Sequence, residues 1–404
     1  MLKKTTKELC ALCKGSRRLC GSSVCPILVK KSLRIIAPRI SKRELNVYSE
    51  WVLVGEYGYP RLRCGPISAI SSVPWEPEVW AEKRLDFSGI LKFRVQSIYP
   101  FQRRHINKPP SIYEPIGESI ISVKPINVEL VLKKPPRMRL RLDADIPPVG
   151  GTAPLKGLEL GENPKIPRKI DSILEDRIKA FRAVGMLYNY GLSPYYIQKV
   201  FSAGFLGVEE RRRLVPTRWS ITAVDSILGN IFLKQIRHKP SIQNVELYFW
   251  EYLGNKYYIV LIPSDYWAME MFEIWLPNSV WLRGVGHPIV IQNHEDYDGK
   301  PIKMDGGYYA IRTSILEWLK NNNRVTMALA IRIITPQYIA PVGNWQIRES
   351  VKLALKNNLI AHGDLEEILN LIETKEPVLK SINIRKRSWL IKRTQIPTIN
   401  KLLN

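Results

Sequence analysis

The sequence predicts an α+β fold: mixed β structure with a helical layer, joined to a small N-terminal four-cysteine zinc element. Three observations predict it. Between residues 44 and 167, short apolar runs are punctuated by prolines, as strands are by turns. From residue 170 to 236, apolar residues recur every three or four positions, the period of a buried helix face. Four of the five cysteines fall within sixteen residues near the start of the chain.

Taken in order, Leu91–Ile98, Asn127–Leu132 and Met138–Leu142 read as strands separated by proline pairs such as Pro135-Pro136 and Pro147-Pro148. Gly150-Gly151-Thr152-Ala153-Pro154-Leu155-Lys156 only loosely resembles a phosphate-cradling loop, because it lacks the G-x4-G-K-[ST] order. A helical block follows, with Ile170, Ile173, Leu174, Ile178, Phe181, Val184 and Leu187 inward and Gly191 at its stop. Ser193-Pro194 opens a short helix that Gly204 ends. A further helix runs from about Thr222 to Ile236. Val245–Tyr252 and Lys256–Ile262 form a hairpin turning at Gly254-Asn255. Phe272–Leu282 reads as a strand, Ile311–Leu319 as a helix and Val325–Thr335 as a buried strand. Gln346–Leu359 and Asp364–Ile372 read as the last helices, the latter capped by Asp364. The expected organisation is a zinc element at 1–32, a main α+β domain at 33–285, a second α+β domain at 286–384 and a basic tail at 385–404.

The 404 residues carry 61 Lys plus Arg against 37 Asp plus Glu, a net charge of +24. Residues 1–43 hold +11 of it and residues 375–404 hold +7, leaving only +6 for everything between. Such ends favour a polyanionic partner. No run approaches the roughly 18 apolar residues that span a bilayer, and the first residues have no apolar signal core. The expectation is a cytoplasmic protein with no membrane partner.

Cys10, Cys13, Cys20 and Cys25 have the spacing C-x2-C-x6-C-x4-C. Four thiolates complete a Zn²⁺ tetrahedron and leave no position open, so the implied role is structural. An iron–sulfur cluster uses the same ligands. Arg17 and Arg18 lie between the cysteines, within reach of phosphates. Cys64 stands apart and reads as a small buried hydrophobe.

The densest internal polar cluster is Glu209-Glu210-Arg211-Arg212-Arg213, followed by Thr217, Arg218, Trp219, Ser220 and Asp225. Arginine forks suit phosphate, a helix start favours an anion, and Trp219 suits base stacking. The bland alternative is a solvated ion-pair lattice. His287 and His294, with Glu295, Asp296 and Asp298, have the composition of a metal or acid–base site but match no metal template. Their bland reading is a surface turn. Asp265, Glu270 and Glu273 beside Trp267 and Trp275 make a second acidic option. Near the end, Ile399, Leu402 and Leu403 have the spacing of a one-turn apolar plug, preceded by Arg385-Lys386-Arg387.

The chain resembles the archaeal Nre family of DNA repair proteins over nearly all its length. LCALCKGSRRLCGSSVCP resembles that family's zinc element, ERRRLVPTRWSITAVDS its most distinctive internal block, and GGTAPLK, GGYYAIR and APVGNWQIRES further blocks. The resemblance implies a role in DNA damage repair and a C-terminal motif for the sliding clamp PCNA. In that motif Ile396 replaces the usual Gln, Ile399 is the aliphatic, and Leu402 and Leu403 stand for the two aromatics. The resulting expectation is a DNA-binding repair protein with structural Zn²⁺, contacting phosphates through Arg17, Arg18, Arg211, Arg212, Arg213 and Arg218, with Trp219 alongside. Two rivals remain: a damage-processing enzyme (a nuclease or nucleotide-handling transferase) using Arg218, Asp225, His287 or His294, or an RNA- or ribosome-associated zinc protein.

Overall fold

The structure is a computed structural model. It describes residues 40–70, 76–141, 149–175, 177–279 and 285–395, with Leu19, Cys25 and Leu282. The chain forms two compact units, one of Ile27–Leu228 with Pro341–Trp345, the other containing Gly229–Ala340 and Gln346–Asn404.

In the first unit, strands β1 (Glu44–Val54) and β2 (Arg61–Ala69) form a hairpin, followed by helices α1 (Pro77–Glu82) and α2 (Phe87–Val95). Strand β3 (Ser97–His105), helix α3 (Pro115–Ile121) and strands β4 (Ile126–Leu132), β5 (Arg137–Arg141) and β6 (Val149–Leu160) complete the sheet. Its order is β3-β2-β1-β4-β6-β5, and β3 also pairs with β6 in parallel, Ile98 opposite Gly151 through Phe101 opposite Pro154. That extra pairing closes five strands into a barrel, with β5 attached outside the ring along β6. Period-2 alternation fills it: Ile126, Val128, Leu130 and Leu132 point inward while Asn127 and Glu129 do not. Val47, Ile98, Ala153 and Leu155 join them, and Ile116 of α3 packs into the same core. Helices α4 (Arg168–Glu175), α5 (Ala180–Asn189), α6 (Pro194–Ser202) and α7 (Thr217–Ile236) follow, α7 continuing into the second unit's residues.

The second unit holds strands β7 (Val245–Tyr252), β8 (Asn255–Pro263), β9 (Ala268–Trp275) and β10 (Ile289–Glu295), helix α8 (Gly306–Asn321) and strand β11 (Thr326–Ile334). After these come α9 (Trp345–Asn357), β12 (Leu359–Gly363), α10 (Leu365–Lys375), α11 (Val378–Ser381), α12 (Ile384–Arg387) and α13 (Trp389–Thr394). The sheet order is β10-β9-β11-β8-β7-β12, with β9 and β11 parallel. Every residue of β11 is buried, as a central strand covered on both faces requires. One face packs Val260, Phe272, Leu329 and Ile331 against Ile368, Ile372, Leu379 and Leu390 of α10, α11 and α13. On the other, Tyr257 donates to Gln346 of α9, 3.1 Å away.

The α+β class and mixed sheets are as expected, but several elements differ. Leu91–Val95 is helix, not strand, and the strand begins only at Ser97: Asp86 caps α2 by accepting from Gly89 N at 2.8 Å, and Ile90, Leu91, Arg94 and Val95 bury one helical face. The helical block at 170–187 is two helices, and Phe181 is exposed rather than inward. Gly150-Gly151 is strand, not a phosphate loop; a Cβ on Gly150 would lie 2.2 Å from the Ser97 carbonyl, so this glycine serves close strand packing. The hairpin turns at Leu253-Gly254, with φ 49° and 66°, one residue earlier than expected, because a two-residue turn of this kind needs two positive φ values. The strand expected at Phe272–Leu282 is β9, ending at Trp275, and β12 was not anticipated.

Candidate nucleic-acid interface

The arginine block lies in the first unit. Glu209–Arg211 form one 3-10 turn, and α7 begins at Thr217. Thr217 and Ser220 are not helix caps. Thr217 Oγ1 accepts from Val54 N of β1 at 2.9 Å, and Ser220 Oγ donates to the Thr217 carbonyl at 2.9 Å. The first of these bonds fastens the helix start to the barrel. Arg212 is half-buried and donates to the carbonyls of Gly207 (3.0 Å) and Leu174. Arg211 and Arg213 are exposed, Arg218 lies 3.6 Å from Glu56, and Trp219 is 58% exposed. Asp225 is fully buried within α7.

The residues beside this block that sequence reading missed are in the β1–β2 loop. Tyr57 and Tyr59 are 78% and 71% exposed there. The loop is held by Gly55 N donating to Arg63 O at 2.9 Å and Arg61 N donating to Gly58 O at 2.8 Å. Ile106 N donates to Pro60 O, and Leu214 N to Ile106 O, both at 2.9 Å, which carries the 211–219 segment alongside it. The available signal was two tyrosines among Gly55, Gly58 and Pro60, in a turn where large apolar rings have no core to fill.

The second polar cluster is of another kind. Glu295 and Arg312 are fully buried and joined by Arg312 Nε at 2.7 and 2.8 Å. Trp267 Nε1 also donates to Glu295, and Arg312 Nη2 reaches Asn230 Oδ1 at 3.1 Å and the Gly299 carbonyl at 3.3 Å. Burial leaves the Glu295 carboxyl above its ordinary value, although Arg312 and Trp267 oppose the shift. His294 is half-buried and stacks on Trp389 with centroids 4.4 Å apart, while His287 is exposed. Among the described residues no three His, Cys, Asp or Glu side chains come together to hold a metal, so His287, His294, Glu295, Asp296 and Asp298 do not form one.

Glu270 and Glu273 are likewise architectural. Glu270 accepts from Trp389 N (3.0 Å), Leu390 N (2.9 Å), Ser388 Oγ and Gln292 Nε2 (2.6 Å), so it anchors the start of α13. Glu273 takes Arg332 Nη1 at 2.6 Å and Trp275 Nε1 at 2.7 Å. Arg385, read as part of a basic lead-in to the tail, binds Glu366, Glu373 and Asn370 from α12. Burial pushes the Cys64 thiol up to about 12, in keeping with an inert core residue.

Cys10, Cys13, Cys20, Arg17, Arg18, Ile396, Ile399, Leu402 and Leu403 lie outside the described residues; Cys25 is described and half-buried. Among the described residues no helix is long and apolar enough to cross a membrane.

Barrel and helix start thus define an α+β chain with arginine and aromatic side chains exposed together on one unit. The profiles of the archaeal Nre N-terminal and C-terminal regions match residues 19–282 and 294–402. The chain is 36% identical over 358 residues to the DNA repair protein NreA of Archaeoglobus fulgidus, covering 86% of this chain and 88% of that one. It is 31% identical over 398 residues to NreB, a DNA repair protein of the same organism, covering 96% of each. NreA of Haloferax volcanii is 32% identical over 324 residues, 76% and 77% of the two chains. The chain belongs to the archaeal Nre family. No solved structure matches it.

Proposed function

We propose that this is a cytoplasmic DNA repair protein that holds nucleic acid at the start of α7 and is tethered by its tail to the sliding clamp PCNA. The repair role is supported by relatives named DNA repair proteins that cover most of the chain. The observation that carries nucleic-acid contact is the exposure of Trp219, Arg211 and Arg213 beside the partly exposed Arg218. A stacking ring among guanidinium forks is the combination that nucleic acid uses, phosphates for affinity and a base face for the ring. Replacing Arg211, Arg213 and Arg218 by Ala together should lower affinity for an oligonucleotide and flatten its salt dependence, read by fluorescence anisotropy across a salt series. An unaltered salt slope rules out this surface.

Cys10, Cys13, Cys20 and Cys25 are the residues proposed to hold structural Zn²⁺, and Arg17 and Arg18, which fall between them in sequence, are proposed to contact phosphates. The donor set is four thiolates, which fits a closed zinc site and supplies no open position for catalysis. Metal analysis of the purified chain should give about one zinc per molecule, lost in Cys10→Ser/Cys13→Ser; iron instead assigns a cluster. At the tail, Ile396, Ile399, Leu402 and Leu403 are proposed to fill the clamp pocket, two leucines less completely than two aromatics. Ile399→Ala/Leu402→Ala should abolish a clamp pull-down, and unchanged retention excludes the motif.

A further inference from the structure

The barrel itself presents a face that the arginine block does not include. Its five strands have the neighbour order first, second, third, fifth, fourth and back to the first, counting β1, β2, β3, β4 and β6. The third and fifth strands are parallel, the other pairs antiparallel, and α3 lies between the third and fourth strands with Ile116 in the barrel core. This is the connectivity of an OB-fold, a five-stranded barrel that takes oligonucleotides or oligosaccharides across strands 2 and 3 and the loop between strands 1 and 2. Fold alone assigns no function, so the side chains on that face decide.

Along β2, Leu62 and Cys64 point into the barrel, each 1% exposed, so alternation turns Arg61 and Arg63 outward. Across the antiparallel register Arg61 faces His105 and Arg63 faces Arg103. The Arg63 guanidinium lies 4.5 Å from the Phe101 ring centroid. Beyond the strand ends, the loop that joins β1 to β2 presents Tyr57 and Tyr59, and Arg103 reaches it: a Cβ on Gly58 would lie 3.5 Å from Arg103 Nη1. The Arg218–Glu56 ion pair ties the same loop to the start of α7. Guanidinium groups in a row track phosphates, and exposed rings held out on a fastened loop offer platforms for bases. The bases of a duplex are already stacked on each other, so only an unpaired strand can use those rings. A neutral sugar chain has no anionic groups for three guanidinium groups to pair with.

We infer that the β2–β3 face of the barrel, with Tyr57 and Tyr59 of the β1–β2 loop, binds single-stranded DNA. The inference rests on the nucleic-acid reading of the neighbouring 211–219 segment and names its substrate class.

The test uses the full chain and three fluorescent probes in anisotropy titrations: a thymidylate 15-mer, a 15-base-pair duplex and a uridylate 15-mer. The wild type should bind the thymidylate strand most tightly. Tyr57→Ala/Tyr59→Ala should weaken it by about tenfold or more and leave the duplex unchanged. Tyr57→Phe/Tyr59→Phe, which keeps both rings, should stay within about twofold. Arg63→Ala/Arg103→Ala should lower the single-strand salt slope by about 1.4. Equal losses on strand and duplex, Phe variants as weak as Ala variants, or tighter binding of the uridylate strand would each overturn the inference. Binding that is lost in Arg211→Ala/Arg213→Ala/Arg218→Ala but indifferent to the tyrosines leaves the helix-start reading intact and removes this one. No binding of any probe by the wild type removes both.

Discussion

Two ion pairs, Glu295–Arg312 and Glu56–Arg218, both come from charged stretches of sequence and have opposite fates. The first is fully buried, its two members also bonded to Trp267, Asn230 and the Gly299 carbonyl. The second spans 3.6 Å between side chains 39% and 30% exposed. A charge withdrawn from water must be met by fixed partners, and in the first pair both carboxylate oxygens and two of the three guanidinium nitrogens are so engaged. A charge at the surface keeps most of its hydration and contributes little to stability, so it stays free to exchange its carboxylate for a phosphate. Of these two pairs, the more elaborately bonded one is therefore read as a stabilising element of its unit.

The largest effect should come from breaking the buried pair. Glu295→Ala leaves Arg312 buried without its carboxylate and should cost about 3–5 kcal/mol in denaturant unfolding. A cost under about 1 kcal/mol would mean that the pair is not buried as described.

Lys199 sharpens the comparison, because it is a buried cation with no carboxylate paired to it among the described residues. Its Nζ donates to the Ser122 carbonyl at 2.7 Å and lies 5.1 Å from the Tyr196 ring centroid. Burial lowers its pKa from 10.5 to about 7. The unfolded chain therefore holds a proton that the folded chain does not between about pH 7 and 10.5. Stability from this group rises with pH across that window, and below it the full burial penalty applies. Lys199→Met should stabilise the protein at pH 7 by about 1–3 kcal/mol and remove that rise. Thermal melts of both forms at pH 7 and pH 9.5 measure it; a parallel pH dependence contradicts it.

Smaller effects belong to the surface. Trp219→Ala should change stability by less than about 0.5 kcal/mol while weakening an oligonucleotide about tenfold. A large loss of stability with unchanged binding would make Trp219 a packing residue. Smallest of all, Glu56→Gln should alter stability by less than about 1 kcal/mol. It should tighten oligonucleotide binding slightly at low salt, by removing a negative charge from the Arg218 side of the loop. Weaker binding would show that Glu56 is needed to position Arg218.

What could be read in advance follows the range of the interactions involved. Asp364 caps α10 with a bond to Glu367 N at 2.8 Å, and Ser193 caps α6 through Tyr196 N at 3.3 Å, because a cap and its partner are three residues apart. The Leu253-Gly254 hairpin was legible to within one residue for the same reason. Leu91–Ile98 was misread because its apolar residues fit either period, and the Asp86 cap decides for a helix. At the candidate site, the cluster 209–219 was legible from its arginines, but Arg212 and Arg213 look identical in sequence. Only the carbonyls of Gly207 and Leu174 separate the anchored one from the exposed one.

The sequence by itself determined the α+β class, the ends of several helices, the cysteine constellation, the charged termini and the family, since each is written in local spacing or in long strings of matching residues. The tertiary structure alone decided that β3 meets β6 and closes a barrel, pairing residues some fifty positions apart. It also decided which arginines face water and that Tyr57 and Tyr59 stand beside them. Those outcomes depend on which distant strands share hydrogen bonds and on which side chains the core leaves outside, and no local pattern encodes either.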